Sequence, residues 1–157
     1  MQSSIGIAAY KEEKNLPRLL KDLCAQDYPK DKIELVFADG CSRDGTRALL
    51  ERFAQEENGF RQVVILENKK VWQAPAHNLI IENFTGDALI KVDAHASLPP
   101  DFISSCARRL ESEKVCGGPR PCITDSDAPA KRLLLTAESS MFGSGFAIYR
   151  RAEKQGY

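Results

Sequence analysis

The stretch ALIKVDAHASLPPDF, residues 88–102, decides how the sequence is interpreted. Its apolar run at residues 88–92 predicts a buried β-strand, and the proline pair at residues 99–100 prevents that strand from continuing. Asp93 and His95 stand between the two. Side chains two residues apart in an extended chain point the same way, so both could bind one divalent cation. The alternative is a turn that caps the next helix. The motif alone does not decide between a metal site and a capping turn, so the rest of the sequence is needed.

Apolar strands and amphipathic helices alternate along the chain as far as about residue 118. Strands are predicted at residues 4–9, 33–38, 62–66 and 88–92, with a short fifth strand at 115–118. Helices are predicted at residues 16–23, around Leu49, Leu50 and Phe53, at residues 76–83, and from Pro100 through Leu110. Asn15 and either Ser42 or Asp44 are the expected N-caps of the first two helices. This pattern predicts an α/β fold with a mainly parallel, Rossmann-like sheet and helices on both faces.

Residues 119–157 are less regular, with a helix expected at 130–140 and a strand at 144–150. In parallel sheets, ligands bind beyond the carboxyl ends of the strands. The residues that follow the predicted strands are therefore the candidates for chemistry. They are Tyr10 to Glu12, Asp39 with Gly40, residues 67–70, and Asp93 to His95.

Asp39, in the segment FADGCSRDGT at residues 37–46, has two plausible roles. Its carboxylate can bind backbone amides of the following turn. With Ser42 and Asp44 present to cap the helix, it could instead accept a hydrogen bond from a ligand such as a nucleobase N–H. His77 is expected to be a semi-buried, satisfied histidine of a helix, and Trp72 to be either hydrophobic cover or a wall of a pocket.

Composition excludes several classes of partner. Lys plus Arg and Asp plus Glu both number 22, and no basic run is interleaved with aromatic residues, so no nucleic acid partner is expected. The five cysteines include no Cys-x-x-Cys pair, which indicates reduced thiols in a cytoplasmic protein. No segment has the length and hydropathy of a signal peptide or membrane span. The first strand is not followed by the glycines of a dinucleotide site, and there is no P-loop.

Several ordered segments together resemble the inverting glycosyltransferases of family 2, and within them the bacterial exopolysaccharide transferases of the succinoglycan type. They are IGIAAYKEEKN at residues 5–15, FADGCSRDGT, ENKKVWQAPAHN at 67–78, VDAHASLPPDF at 92–102 and SSMFGSGFAIYR at 139–150. The resemblance implies a GT-A fold and places the nucleotide-sugar-binding part of that fold at residues 1–157. It also implies a nucleoside diphosphate sugar donor, often a uridine one, and a saccharide or lipid-linked acceptor in polysaccharide synthesis.

Carried over by position, the resemblance assigns the site residues. Ala9, Tyr10, Glu12, Asp39, Trp72 and Asp93 would bind the nucleotide sugar. Asp93 and His95 would replace the family's Asp-x-Asp motif and bind Mn²⁺ or Mg²⁺, with the histidine nitrogen favouring manganese.

The chain departs from the family pattern in ways that bear on activity. The usual Tyr-Asn-Glu is Tyr10-Lys11-Glu12, and the usual Ala-Arg-Asn is Ala76-His77-Asn78. The family's acidic general base is expected beyond residue 157, so the chain is expected to be a C-terminally truncated transferase that is cytoplasmic and, at full length, lies at the inner face of the cell membrane. The alternatives are a catalytically incomplete donor-binding fragment and a flavodoxin-like α/β interaction module. An incomplete sheet would expose apolar surface, so self-association is expected.

Overall fold

The computed structural model describes residues 1–117 and 128–139. Four parallel strands form one sheet in the order β3-β2-β1-β4. The strands are β1 (Ser3–Ala9), β2 (Ile33–Asp39), β3 (Gln62–Glu67) and β4 (Ala88–Asp93). The helices are α1 (Leu16–Cys24), α2 (Thr46–Gln55), α3 (Gln73–Asn83), α4 (Phe102–Leu110) and α5 (Pro129–Ser139). The predicted α/β fold with a parallel sheet is confirmed.

The strands are apolar on both faces because helices cover both faces. On one face, leucines of α1 and side chains of α2 and α4 pack with alternate residues of the strands, including Ile5, Leu35 and Val92. On the other face, Ala76 and Ile80 of α3 pack against the intervening strand residues. β2 is buried along its whole length, as a central strand of such a sheet should be.

The chain order reverses between β1 and β4. The first three strands add in one direction, and α3 then carries the chain back across the sheet to place β4 beside β1, with Ala8 opposite Asp93. A right-handed crossover in the reversed direction puts α3 on the opposite face from α1 and α2. A reversal of this kind opens a crevice at the carboxyl ends of the two strands, where ligands of α/β sheets bind.

The predicted Asn15 cap is wrong, and of the alternatives Ser42 and Asp44 only Asp44 binds the start of α2. The Asn15 side chain makes no capping bond with the backbone of α1, and its Nδ2 donates to Glu12 Oε2 at 2.7 Å. Ser42 Oγ accepts the Lys11 backbone N–H at 3.0 Å and does not cap α2. Asp44 Oδ1 does accept the N–H of Thr46, the first residue of α2, at 3.2 Å.

The chain divides into two units, residues 1–113 and 114–157. In the second unit the predicted helix is present as α5, whereas the predicted strand is wrong over residues 115–117, which are irregular. Val115 is exposed, and a short segment that ends in glycines does not form a strand without a neighbour to pair with. Gly118 and the strand predicted at 144–150 lie outside the described residues. No helix in residues 1–117 or 128–139 is long and apolar enough to cross a membrane.

Candidate functional site

The loops after β1 and β2 are joined to each other at the carboxyl edge of the sheet. Thr46 Oγ1 accepts the Glu12 backbone N–H at 2.8 Å, and Ser42 Oγ accepts that of Lys11. One residue further along, Glu13 Oε2 accepts the Gly45 N–H at 2.9 Å. These bonds satisfy backbone groups that a loop would otherwise leave unpaired, and they hold the loop after β1 in a fixed position.

Strained backbone marks the same edge. Among the described residues, the non-glycine residues with positive φ are Lys11 (56°), Cys41 (57°) and Val71 (66°). Each lies in the loop that follows one of β1, β2 and β3. Left-handed conformation is unfavourable for residues with a Cβ, most of all for a β-branched one, and such strain concentrates at binding and catalytic sites. The strain therefore supports the location predicted from the strand ends.

Asp39 takes the turn-binding role. Its side chain is almost fully buried, and Oδ1 accepts the Ser42 N–H at 3.3 Å. The Asp39 carbonyl oxygen accepts the Asn68 N–H at 2.7 Å, which ties the ends of β2 and β3 together. Oδ2 accepts no hydrogen bond from the part of the chain that the structure describes. One carboxylate oxygen is thus committed to the turn, and a ligand role for the other stays a prediction.

Tyr10 presents an aromatic surface beside Asp39. Its ring lies against Gly40, where an added Cβ would come within 3.1 Å of Tyr10 Cδ2 and of the Val71 carbonyl oxygen. Gly40 is joined to β1 through its N–H, which the carbonyl oxygen of Ala9 accepts at 2.9 Å. Tyr10 is 44% exposed, so its ring packs on Gly40 without being buried.

Trp72 is not hydrophobic cover. Its side chain is 79% exposed, although its backbone is fixed by Asn68 Nδ2, which donates to the Trp72 carbonyl oxygen at 2.9 Å. Of the two roles inferred from the sequence, cover is therefore wrong. An indole in solvent just before α3, in the loop that follows β3, is available to a ligand at the carboxyl edge.

Asp93 and His95 do not form the extended arrangement predicted for them. The Asp93 carbonyl oxygen accepts the Ala96 N–H at 2.9 Å, so these residues form a turn. The pairing of β4 with β1 ends at Asp93, and without a ladder partner the chain is free to turn. Asp93 Oδ1 accepts a hydrogen bond from Lys91 Nζ at 2.8 Å. A turn and not a strand therefore determines the directions of these two side chains.

Glu12 joins the loop after β1 to the turn after β4. Its Oε1 lies 3.4 Å from His95 Nδ1, and its Oε2 accepts the Asn15 bond. Arg18 Nη2 donates to the His95 carbonyl oxygen at 2.9 Å. Sequence patterns placed Glu12 and His95 at strand ends but did not pair them, and they gave no signal for Arg18.

His77 is semi-buried, but it is not a satisfied histidine. Its Nε2 is buried and has no hydrogen-bond partner among the described residues. Burial lowers the pKa of His77, the Lys91 ammonium lowers it further, and Asp93 opposes both. The charges of Lys91 and Asp93 at the end of β4 thus act on His77 of α3.

The candidate metal ligands are two side chains of suitable donor type. No group of three or more His, Cys, Asp or Glu side chains within residues 1–117 and 128–139 is arranged to hold a metal ion alone. Asp93 and His95 offer a carboxylate oxygen and an imidazole nitrogen, which suit manganese and leave coordination positions for diphosphate oxygens and water.

Solved structures with the same fold define the class of protein. The chain resembles mannosyltransferase PcManGT from Pyrobaculum calidifontis, solved with GDP-Man and Mn²⁺, at a TM-score of 0.67 and 22% identity over 88% of this chain and 40% of that one. It also resembles residues 1–349 of TarS from Staphylococcus aureus, solved with UDP-GlcNAc, at a TM-score of 0.65 and 21% identity over 82% of this chain and 37% of that one. The fold is that of the GT-A glycosyltransferases.

The family follows from the sequence. Residues 4–155 match the model of glycosyl transferase family 2, and the chain belongs to that family. Among curated proteins it is 29% identical to the succinoglycan biosynthesis protein ExoA of Rhizobium meliloti, over 94% of this chain and 44% of ExoA. The predicted resemblance, including the succinoglycan type of relative, is confirmed. The chain spans less than half of the length of each of these three proteins.

Proposed function

We propose that the chain binds a nucleoside diphosphate sugar, of the uridine type, for inverting transfer of the sugar to a saccharide or lipid-linked acceptor in polysaccharide synthesis. The observation that carries this proposal is the meeting of polar loops at the β1–β4 reversal, where Glu12 of one loop contacts His95 of the other. The family membership supports sugar transfer, and the TarS complex shows that a protein of this fold binds a uridine nucleotide sugar. A flavodoxin-like interaction module has no comparable support.

Each proposed role follows from the position of the side chain. The second carboxylate oxygen of Asp39 would accept a hydrogen bond from the base. Tyr10 and Trp72 would offer their exposed rings to the nucleoside or the sugar, since aromatic faces bind flat groups at low entropic cost. Ala9 and Glu12 would line the pocket through the end of β1 and its loop.

Asp93 and His95 would hold Mn²⁺ or Mg²⁺ together with the diphosphate of the donor. The bound cation supplies charge neutralisation, which makes the nucleoside diphosphate a better leaving group. Transfer with inversion then needs an acceptor hydroxyl that attacks the anomeric carbon opposite the leaving group, and a base that takes its proton. We assign no such base to the described residues, so donor binding without transfer by this chain alone is the second form of the proposal.

Calorimetric titration of UDP into the 157-residue chain tests the donor site. We expect binding with Mn²⁺, weaker binding with Mg²⁺ and loss with chelator, and loss of manganese-dependent binding in Asp93→Ala and Asp39→Ala. Asp31→Ala is the matched control, because Asp31 is exposed and precedes β2 at the opposite edge of the sheet. A folded chain that binds no UDP under any of these conditions would refute the proposal.

Two further expectations concern the state of the protein. We propose a cytoplasmic location at the inner face of the membrane, where lipid-linked acceptors are found. We also propose self-association of the chain. Light scattering that gives a monomer at micromolar concentration would contradict the second expectation.

A further inference from the structure

The contact between Glu12 and His95 links residues that lie 83 positions apart in the sequence. Glu12 Oε1 faces one ring nitrogen of the histidine, Nδ1, at 3.4 Å. The His95 side chain is 63% exposed and Glu12 is 18% exposed, so the carboxylate is the fixed partner and the imidazole the adaptable one.

A histidine that binds a metal uses one ring nitrogen as ligand and commonly donates a hydrogen bond to a carboxylate from the other. The carboxylate fixes the tautomer and the orientation of the ring. With Nδ1 of His95 directed at Glu12, Nε2 is the nitrogen left to coordinate. Glu12 Oε1 faces Nδ1 of His95, which is the position of an outer partner of a metal-binding histidine.

We propose that Glu12 is a positioning residue that directs Nε2 of His95 toward the divalent cation of the donor complex. This inference rests on the proposed function, because it requires that Asp93 and His95 hold a cation. It assigns to Glu12 a role different from direct contact with the nucleotide.

The surroundings of Glu12 are built to hold it still. Its second carboxylate oxygen accepts the bond from Asn15, and its backbone N–H is bound by Thr46. Its carbonyl oxygen accepts the N–H groups of Asn15 and Leu16 at the start of α1, at 3.0 and 2.9 Å. On the other side of the contact, Arg18 holds the His95 carbonyl oxygen. Both partners are therefore fixed through their backbones, and side-chain rotation alone controls the contact.

Manganese affinity in the presence of saturating UDP, measured by calorimetry, tests the role without relying on transferase activity. We expect Glu12→Ala to weaken Mn²⁺ binding by about 10- to 100-fold, the usual effect of losing an outer-shell partner. Glu12→Gln keeps an acceptor oxygen, so its affinity for Mn²⁺ should lie between that of the wild type and that of Glu12→Ala. Glu13→Gln is the matched control for Glu12→Gln, because it removes the same charge from the same loop while its amide oxygen can still accept the Gly45 N–H, and it should change the affinity by less than about twofold.

The decisive comparison repeats the Glu12 variants in a His95→Asp background. An aspartate ligand has no tautomer to select, so Glu12→Ala should not weaken Mn²⁺ binding there. An equal loss in both backgrounds would show that Glu12 only supports the loop and would overturn this inference while leaving the donor site intact. A folded wild-type chain that binds no Mn²⁺ with UDP would overturn the inference and the proposed metal site together. Circular dichroism of each variant confirms that it is folded.

Discussion

Glu34 is a fully buried carboxylate near the amino end of β2, at the opposite end of that strand from Asp39. Its removal should destabilise the fold. Its Oε2 accepts hydrogen bonds from the Ser4 hydroxyl and from the Thr85 N–H, the latter at 2.8 Å. Its Oε1 accepts the Thr85 hydroxyl at 2.8 Å and lies 3.7 Å from Arg61 Nη2. We predict that Glu34→Gln, which keeps the size of the side chain, lowers the free energy of unfolding.

The magnitude follows from the number of bonds. Burial by itself raises the pKa of Glu34, but the hydrogen bonds from Ser4 and Thr85 and the charge of Arg61 outweigh it, so the pKa is lowered. A hydrogen bond to a charged group contributes about 1.5–3 kcal/mol. A glutamine presents one acceptor oxygen in place of two, so at least one bond is lost, and the cost is about 2–3 kcal/mol. At roughly 2–4 °C per kcal/mol for a chain of this size, Tm should fall by roughly 4–12 °C.

Glu51→Gln is the matched control for thermal and urea unfolding. Glu51 also contacts an arginine, Arg47, at 2.6 Å, but its side chain is half exposed. An exposed ion pair of this kind contributes about 0–1 kcal/mol. Equal destabilisation by the two substitutions would refute the reasoning, because burial would then not determine the contribution of the carboxylate.

The pH dependence provides a second check on Glu34. Because its pKa is lower in the folded state, its stabilisation is complete above the unfolded glutamate pKa of about 4.3 and is lost as the pH falls through the folded pKa. The difference in unfolding free energy between the wild type and Glu34→Gln should therefore shrink as the pH is lowered below about 4.3. A difference that stays constant across that window would contradict the assignment.

Three further predictions concern the candidate site. Lys91→Gln should tighten Mn²⁺ binding in the presence of UDP by up to about fivefold, because it removes an ammonium group that competes with the cation for Asp93. The Lys91–Asp93 ion pair is half exposed on the lysine side and contributes about 0.2–1 kcal/mol. An unchanged Mn²⁺ affinity by calorimetry would contradict this competition. Gly40→Ala should displace the Tyr10 ring at a cost of about 1 kcal/mol and weaken UDP binding by a corresponding amount. Calorimetric titration measures the Kd for UDP, and an unchanged Kd would contradict this prediction. The pKa of His77, measured by NMR, should lie below the ordinary histidine value of about 6.5. The unfolded chain then binds a proton more readily than the folded chain, so the free energy of unfolding should decrease as the pH falls below about 6.5. A measured pKa at or above about 6.5, with the signal assigned by His77→Gln, would contradict this prediction.

Local patterns in the sequence were sufficient for the elements of the first unit. The strand predicted at residues 4–9 is β1, Ser3–Ala9, and the leucine spacing after Asn15 gives α1 with Leu16, Leu19 and Leu23 fully buried. These predictions succeed because burial on both faces requires continuous apolar strands and one apolar face on each helix. The strand predicted at 115–118 failed over its described residues, since a strand also needs a partner and no local pattern supplies one.

The same limit explains which parts of the candidate site were predicted. Residue type and position after a strand were enough to select Tyr10, Asp39 and Asp93 as candidates at the carboxyl edge. The sequence did not distinguish Ser42 from Asp44 as the cap of α2, because only the fold brings the Lys11 backbone N–H of the loop after β1 to Ser42. The unsatisfied Nε2 of His77 could not be predicted either, since it depends on what α3 covers.

The sequence by itself determined that this protein alternates strands and helices, that its polar side chains follow the strands, and that it resembles family 2 glycosyltransferases. Only the tertiary structure decided that β4 lies beside β1, that Asp93 and His95 form a turn, and that Glu12 reaches His95 across the reversal. The physical reason is that secondary structure depends on the period of nearby side chains, whereas strand order and the meeting of distant loops depend on which buried surfaces pair over the whole chain.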